Sequence, residues 1–369
     1  MFNLEYLASQ HKPGVVISCF TTLGWEPSAL PVVLSEFLGM QFVTHDGLNS
    51  TIEWDVWATC STSSRDRIPP AMARSLENSL VMFLPGKCLL AAKAGLWQGL
   101  ESRFGVHEAE KIAPRTIVRP AQHETLLREY LDTLSVNTTF VTKSGHRQRG
   151  IQELKMDLKN KPEFIRQVLE LQPVVIQVKQ ESIRYNNRRT AFRTYTWIQC
   201  KPNNRASAII DWNSPAYVAV EEHSLIASGY TSAAEEFSTH ELLTKLGIAH
   251  QVKSAVQRKV SKVLVAFGSQ MCQGYVPWGA GRQTEELFAL DWIPTGSDAM
   301  LLEVNRFPDI RLHYSISTGE NPIRQYTKKD WLKVCTHLRR FPEQLVLPAQ
   351  RTHHRRCLAE AQESIVEMI

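Results

Sequence analysis

Two short runs, residues 286–292 (ELFALDW) and 300–305 (MLLEVN), constrain the folding of this chain most. Each has the length and apolar character of a strand, and each is broken by a carboxylate, Asp291 in the first and Glu303 in the second. Side chains alternate along a strand, so Glu303 and Asn305 project from one face with Val304 on the other. Pro294–Asp298 suits a turn that joins the two runs as a pair. That pairing brings Asp291 beside Glu303, and two half-buried carboxylates repel unless a cation or a proton intervenes. Two carboxylates and an amide oxygen suit Mg²⁺, which takes hard oxygen ligands and shares its shell with substrate phosphates. The spacing equally suits an aspartate at a strand end and a glutamate paired with an arginine.

The rest of the chain gives a setting for that pair. Its 369 residues exceed one simple core and suit two or three packed subdomains. Residues 14–20 and 52–58 read as strands, with a helix over 27–38 between them, which suggests a small α/β unit. Pro85-Gly86 marks a break, and 87–104 reads as a helix. Strands are expected at 138–143, 173–179 and 189–198, and helices at 163–171 and about 329–340. Val252, Val256, Val260, Val263, Leu264 and Phe267 fall at helical spacing, as a core-facing stripe does. These breaks divide the chain into 1–84, 85–180, 181–345 and a tail over 346–369.

Two further segments could carry chemistry. Lys143 ends a strand and precedes a loop containing Gly145 and Gly150, so it could aim an ammonium at a phosphate while backbone N–H groups cover the others; a basic hairpin tip fits the same residues. Arg189 and Arg193 share a strand face with Ala191 between them. Such arginines repel unless an anion lies between, as a polyphosphate would, and a surface edge strand fits them too. Gly86-Lys87 lacks the flanking residues of a Walker A loop, and there is no G-x-S-x-G, H-E-x-x-H or G-x-G-x-x-G.

The seven cysteines are scattered and never form C-x-x-C, which argues for reduced thiols in a cytoplasmic setting. His353, His354 and Cys357 read as part of a solvated tail rather than a metal site. Apolar runs are too short to span a membrane, and no secretory signal is evident at the N-terminus. The net charge of +5, with Arg188-Arg189, Arg339-Arg340 and Arg351/Arg355/Arg356 as clusters, permits an acidic partner such as a protein tail. Aromatics do not interleave with the basic residues, so no nucleic-acid partner is expected. A monomer is expected.

The order of these pieces resembles the tubulin–tyrosine ligase-like family of the ATP-grasp superfamily, in register over about residues 82–310. Phe83-Leu-Pro-Gly86 followed by Ala91-Ala-Lys93-Ala-Gly-Leu96 resembles a segment whose lysine reaches ATP. Pro114-Arg-Thr116 resembles a P-x-T motif, and Phe140-Val-Thr-Lys143-Ser144 the strand with the second ATP lysine. Arg149-Gly150-Ile151 resembles the close of a phosphate loop. Val175-Ile-Gln177, running on into Val178 and Lys179, resembles the hinge that holds adenine. Arg189 to Arg193 is similar to K-F-D-I-R, and the strands of Asp291, Glu303 and Asn305 to the metal-binding strands.

The resemblance implies an α/β (α+β) ATP-grasp fold of three subdomains, with ATP clamped between the central and C-terminal ones. It implies ATP held by Lys93, Lys143, Arg149, Gln177, Val178, Lys179, Arg189 and Arg193, and Mg²⁺ held by Asp291, Glu303 and Asn305. Arg193, Lys143 and Glu303 would act at the transferring phosphoryl group. The implied reaction joins an amino acid to a carboxylate acceptor (a peptide, protein tail or small molecule) through an acyl phosphate. The chain departs from the family pattern at Ala191, which replaces an aspartate, and at Arg189, which replaces a lysine. The loop between Lys143 and Gly150 is shorter. Ser238-Thr-His-Glu241 stands near an H-L-T-N stretch and also fits a helix capping box. An arginine expected near Leu225–Ala227 is absent. These departures also admit a catalytically silent ATP-grasp protein that acts as a binding module for an acidic protein such as tubulin tails.

Overall fold

The computed structural model describes residues 14–17, 29–39, 41–44, 56–58, 80–82, 89–134, 136–143, 151–201, 205–220, 233–273, 284–306, 308, 310, 314–316, 324–341, 343 and 346–367. The strands are β1 (Gly14–Ile17), β2 (Gln41–Thr44), β3 (Val56–Ala58), β4 (Leu80–Met82), β5 (Thr116–Val118), β6 (Thr138–Lys143), β7 (Ile151–Met156), β8 (Val175–Val178), β9 (Arg184–Tyr185), β10 (Arg188–Lys201), β11 (Arg205–Asp211), β12 (Pro215–Ala219), β13 (Ala233–Ser238), β14 (Thr284–Pro294), β15 (Ala299–Arg306), β16 (Tyr314–Ile316), β17 (Arg324–Tyr326) and β18 (Glu363–Glu367). The helices used below are α1 (Ala29–Val32), α2 (Gly95–Phe104), α3 (Val106–Glu110), α4 (Glu124–Asp132), α5 (Lys161–Leu171), α6 (Thr239–Lys245), α7 (Ala249–Met271), α8 (Lys328–Leu338) and α9 (Arg351–Ala359). The architecture is mixed α/β, with largely antiparallel sheets.

The large sheet runs β13-β12-β10-β14-β4-β3-β1-β2, with β15 on β14 and β11 on β10. Strands β1 to β4 pair in parallel, and β4 joins β14 at Thr284↔Val81. The strands of 1–84 therefore continue the sheet built from 181–345. The spine is β10, rich in the Thr, Tyr, Trp, Phe and Ile side chains that suit a pleated surface. One face of the spine and its partners carries Phe192, Ile198, Phe288, Leu290, Trp292 and Val304, packed with the stripe of α7. All six residues of that expected stripe are buried, each burial stabilising by about 1.5–3 kcal/mol. The other face carries Tyr195, Trp197, Leu287 and Ala289 under α1 and α8. Farther along this second face the pattern changes from apolar to charged, at Arg193, Asp291 and Glu303.

The small sheet runs β5-β8-β6-β7 and is antiparallel throughout. Its Ile117, Phe140, Met156 and Ile176 pack on Leu127, Leu131, Phe164 and Val168 of α4 and α5. By alternation the opposite face presents Thr116, Val141, Lys143, Gln177, Lys179 and Glu153. Register places Glu153, Val141, Gln177 and Thr116 in one row across the four strands.

Several expectations change. The helix expected over 87–104 begins at Gly95, after a turn in which Ala92 N–H donates to Leu89 O. A Cβ at Gly95 would lie 2.1 Å from Leu89 O, so that close approach needs glycine. The segment over 346–369 is no tail: α9 packs beside α8, and β18 pairs with β11. His354 is accordingly buried, its Nε2 2.8 Å from Phe341 O. The expectation of reduced thiols fails for four cysteines, because Cys200 is bonded to Cys272 and Cys335 to Cys357. Folding brings these partners together across 72 and 22 residues, a separation that motif spacing does not register. Cys19, Cys60 and Cys88, Pro85-Gly86 and the loop 144–150 with Arg149 lie outside the described residues. Among the described residues, no helix is long and apolar enough to cross a membrane.

Candidate functional site

The charged end of the large sheet's second face is built by register. Arg193 is opposite Asp291 on β14, and Asp291 is opposite Glu303 on β15. A cation and two anions thus lie in one cross-strand row. Directly opposed carboxylates would be unfavourable, and the arginine decides the balance. Arg193 Nε donates to Asp291 Oδ1 at 2.7 Å and its Nη2 to Oδ2 at 3.0 Å, a two-point ion pair. Asn305 Nδ2 donates to the same Oδ2 at 2.9 Å. Asp291 is buried, so this pairing is a condition of its being charged there. The strand itself is braced: Thr239, the first residue of α6, donates its hydroxyl to Arg193 O at 2.7 Å. The α6 start is fixed by the expected capping box, in which Ser238 and Glu241 bond reciprocally.

The small sheet reaches this row through Lys143. Its Nζ donates to Leu302 O at 3.3 Å and lies 4.0 Å from Glu303 Oε2. Lys143 is 5% exposed. Burial pushes its pKa below the ordinary 10.5, against the opposing pull of Glu303; Lys93 adds to the lowering and Asp291 opposes it. Lys93, half-buried in the turn before α2, is therefore within electrostatic reach of the same group. Glu303 Oε2 is buried and accepts no hydrogen bond. A buried carboxylate oxygen without a donor is costly, and it is the one atom of the cluster that lacks what a cation would supply.

Gln177 is buried and its Nε2 donates to Thr116 Oγ1 at 2.8 Å, joining the two segments expected at the adenine side. Val178 N–H donates to Arg115 O and Lys179 N–H to Thr139 O. Arg189 and Lys179 meet an anion that sequence reasoning missed. Glu153 Oε1 lies 2.5 Å from Lys179 Nζ and 3.9 Å from Arg189 Nη1, and Glu181 lies 3.8 Å from Arg189 Nη2. The two same-face arginines are thus separated by protein carboxylates, Asp291 for one and Glu153 with Glu181 for the other. Alternation from Lys143 across the hairpin would have put Glu153 on the site face, but the unknown loop register hid it.

The fit to Mg²⁺ can be tested on these contacts. Asp291, Glu303 and Asn305 share one face and offer hard oxygens, and Glu303 Oε2 accepts no hydrogen bond, with only the Lys143 ammonium near it at 4.0 Å. Among the described residues no cluster of three His, Cys, Asp or Glu occurs, so protein ligands alone would not complete a shell. The cations Arg193, Lys143 and Lys93 already outnumber the two carboxylates. A Mg²⁺ carried on a polyphosphate would bring anionic oxygens to these cations as well as a dication to the carboxylates, which a bare ion would not. The set fits a phosphate-borne Mg²⁺.

The arginine clusters are largely engaged inside the protein. Arg339 is buried against Asp211 at 2.7 Å and Glu363 at 3.0 Å, and Arg340 pairs with Glu285 at 2.9 Å. Arg355 and Arg356 pair with Glu343 and Glu360.

What fold and site define is an α+β protein in which a charged row of the large sheet, Arg193, Asp291 and Glu303, meets Lys143 of the small sheet. No protein-family model and no curated protein matches this chain.

Proposed function

We propose that this chain is an ATP-dependent carboxylate–amine ligase of the ATP-grasp kind, as its resemblance to the tubulin–tyrosine ligase-like family implies. The observation that carries the reading is Lys143, a lysine from the small sheet buried against Glu303 and Leu302 O of the large sheet. A buried ammonium suits a phosphate, and the carboxylate oxygen beside it, which lacks a donor, suits a cation carried with that phosphate. Lys143, Lys93, Arg189 and Arg193 would hold the phosphates, with Lys179 beside them, and Gln177 and Val178 would line the adenine side. Asp291, Glu303 and Asn305 would hold Mg²⁺, which when bound neutralises phosphate charge. The substrate carboxylate attacks the γ-phosphorus and ADP leaves; the amine then attacks the acyl carbon, and phosphate leaves with the amide formed. Arg193 and Lys143 contribute mainly by fixed positive charge where negative charge moves. The acceptor is an acidic protein tail, a peptide or a small carboxylate.

A second reading has its own support. Ala191 stands where the family has an aspartate, and Arg193 holds both oxygens of Asp291. A nucleotide-binding protein without turnover fits those two facts. ADP release measured across amino acids and carboxylate acceptors separates the readings. Release that depends on both co-substrates supports the ligase. Nucleotide binding without release supports the silent module, and no binding removes both.

A further inference from the structure

Glu153 has no place in the ligase reading, yet it grips two cations which that reading gives to ATP. It lies on the site face of the small sheet, in the row of Gln177 and Thr116. Its Oε1 is 2.5 Å from Lys179, the first residue after β8, and 3.9 Å from Arg189 at the start of β10. Between these two residues runs the connection from the small sheet to the large one. That connection is anchored on the large-sheet side: Ile183 N–H donates to Pro294 O at 2.9 Å, and Thr190 donates its hydroxyl to Ile183 O at 2.6 Å and its N–H to Ser182 Oγ at 3.2 Å. Glu153 therefore ties the small sheet to the anchored side across the connection. Arg189 Nε is buried with no hydrogen-bond partner, so this guanidinium retains an unmet donor beside the latch.

We propose that Glu153 is an electrostatic latch, closing the two sheets over the connection at 179–183 and displaced from Lys179 and Arg189 when a polyphosphate binds. This deepens the reading of the charged row and its neighbours as a nucleotide site and rests on it for the identity of the natural ligand. A carboxylate and a phosphate compete for the same donors, and Arg189 Nε gives the phosphate one bond that Glu153 does not make. The latch sets a threshold: only a ligand with several negative charges outcompetes an ion pair already in place.

The test uses the full chain with Glu153→Gln, and Glu181→Gln as a control that leaves the Lys179 pair intact. Circular dichroism checks folding. Binding of Mg-ATP and of inorganic tripolyphosphate is measured by calorimetry, and hydrogen exchange is followed over 179–183 without ligand. The latch predicts faster exchange over 179–183 in Glu153→Gln, and polyphosphate affinity higher by roughly two- to tenfold, the range of a partly exposed ion pair. Glu181→Gln should change both much less. Unchanged exchange and unchanged or weaker binding of both ligands in Glu153→Gln would overturn the latch while leaving the nucleotide site standing. If Mg-ATP binds neither protein, the ligase reading fails. The latch is then decided by exchange and tripolyphosphate: faster exchange with tighter binding upholds it, and anything else overturns it.

Discussion

Asp291 and Glu303 are neighbours across two strands, yet their surroundings ask different things of them. Asp291 has both oxygens engaged by Arg193, whereas Glu303 Oε2 has no donor. Removing Asp291 leaves a guanidinium only 15% exposed without its counter-charge. Asp291→Ala should therefore cost about 3–5 kcal/mol in chemical denaturation. Glu303→Gln breaks no hydrogen bond and loses only the looser 4.0 Å contact with Lys143, so it should cost clearly less stability than Asp291→Ala, and it should lower ADP release by about a hundredfold. Equal destabilisation by the two variants would assign Glu303 a structural role. Lys143 supplies a pH signature. A phosphate needs the ammonium form, and burial holds the lysine below 10.5, so nucleotide affinity should fall as pH rises through that depressed value. Lys143→Arg, which stays charged, should flatten the fall; an unchanged profile would remove Lys143 from the phosphate contact.

At the scale of elements, the strands that carry the site were legible and their environment was not. Residues 286–292 and 300–305 appear as β14 and β15, with Asp291 directly opposite Glu303 as alternation and a short turn require. The capping box at Ser238 was likewise readable, because both partners lie within one turn. Sequence could not show that Arg193 would pair with Asp291 at the end of that row. That contact spans 98 residues and depends on β10 pairing with β14. The helix over 87–104 was overcalled for the same reason: the approach of Leu89 to Gly95 is tertiary. Helix α8 offers a check on how its long-range contacts act. Burial, with the Arg339 charge, holds His337 at a pKa of about 3 against an ordinary 6.5. A depressed histidine is neutral in the folded state while the unfolded chain takes up a proton, so this group should reduce stability as pH falls from about 6.5 towards 3. His337→Asn should show a shallower loss between pH 7 and 5 in urea midpoints; an identical loss would mean that the ring is not held neutral.

On the scale of the whole molecule, the C-terminal segment closes the architecture that a tail reading left open. Strand β18 extends the sheet at β11, and α9 is tied to α8 by Cys335–Cys357, while Cys200–Cys272 ties the end of β10 to the end of α7. Peptide mapping without reductant should recover both linkages. Reduction should lower the thermal midpoint, since each link restricts the unfolded chain, by about 2–4 kcal/mol in typical cases. Free thiols at all four positions with an unchanged midpoint would contradict the pairing. The contact between the sheets is the other whole-molecule feature, since Lys143 meets Glu303 only when both sheets are in place. Calorimetric titration of Mg-ATP into wild type and Lys143→Ala tests it most directly. The account predicts saturable binding to wild type that is largely lost in the variant, with Mg²⁺ alone giving no signal. Absence of binding at millimolar nucleotide, or equal binding by the two proteins, would contradict it.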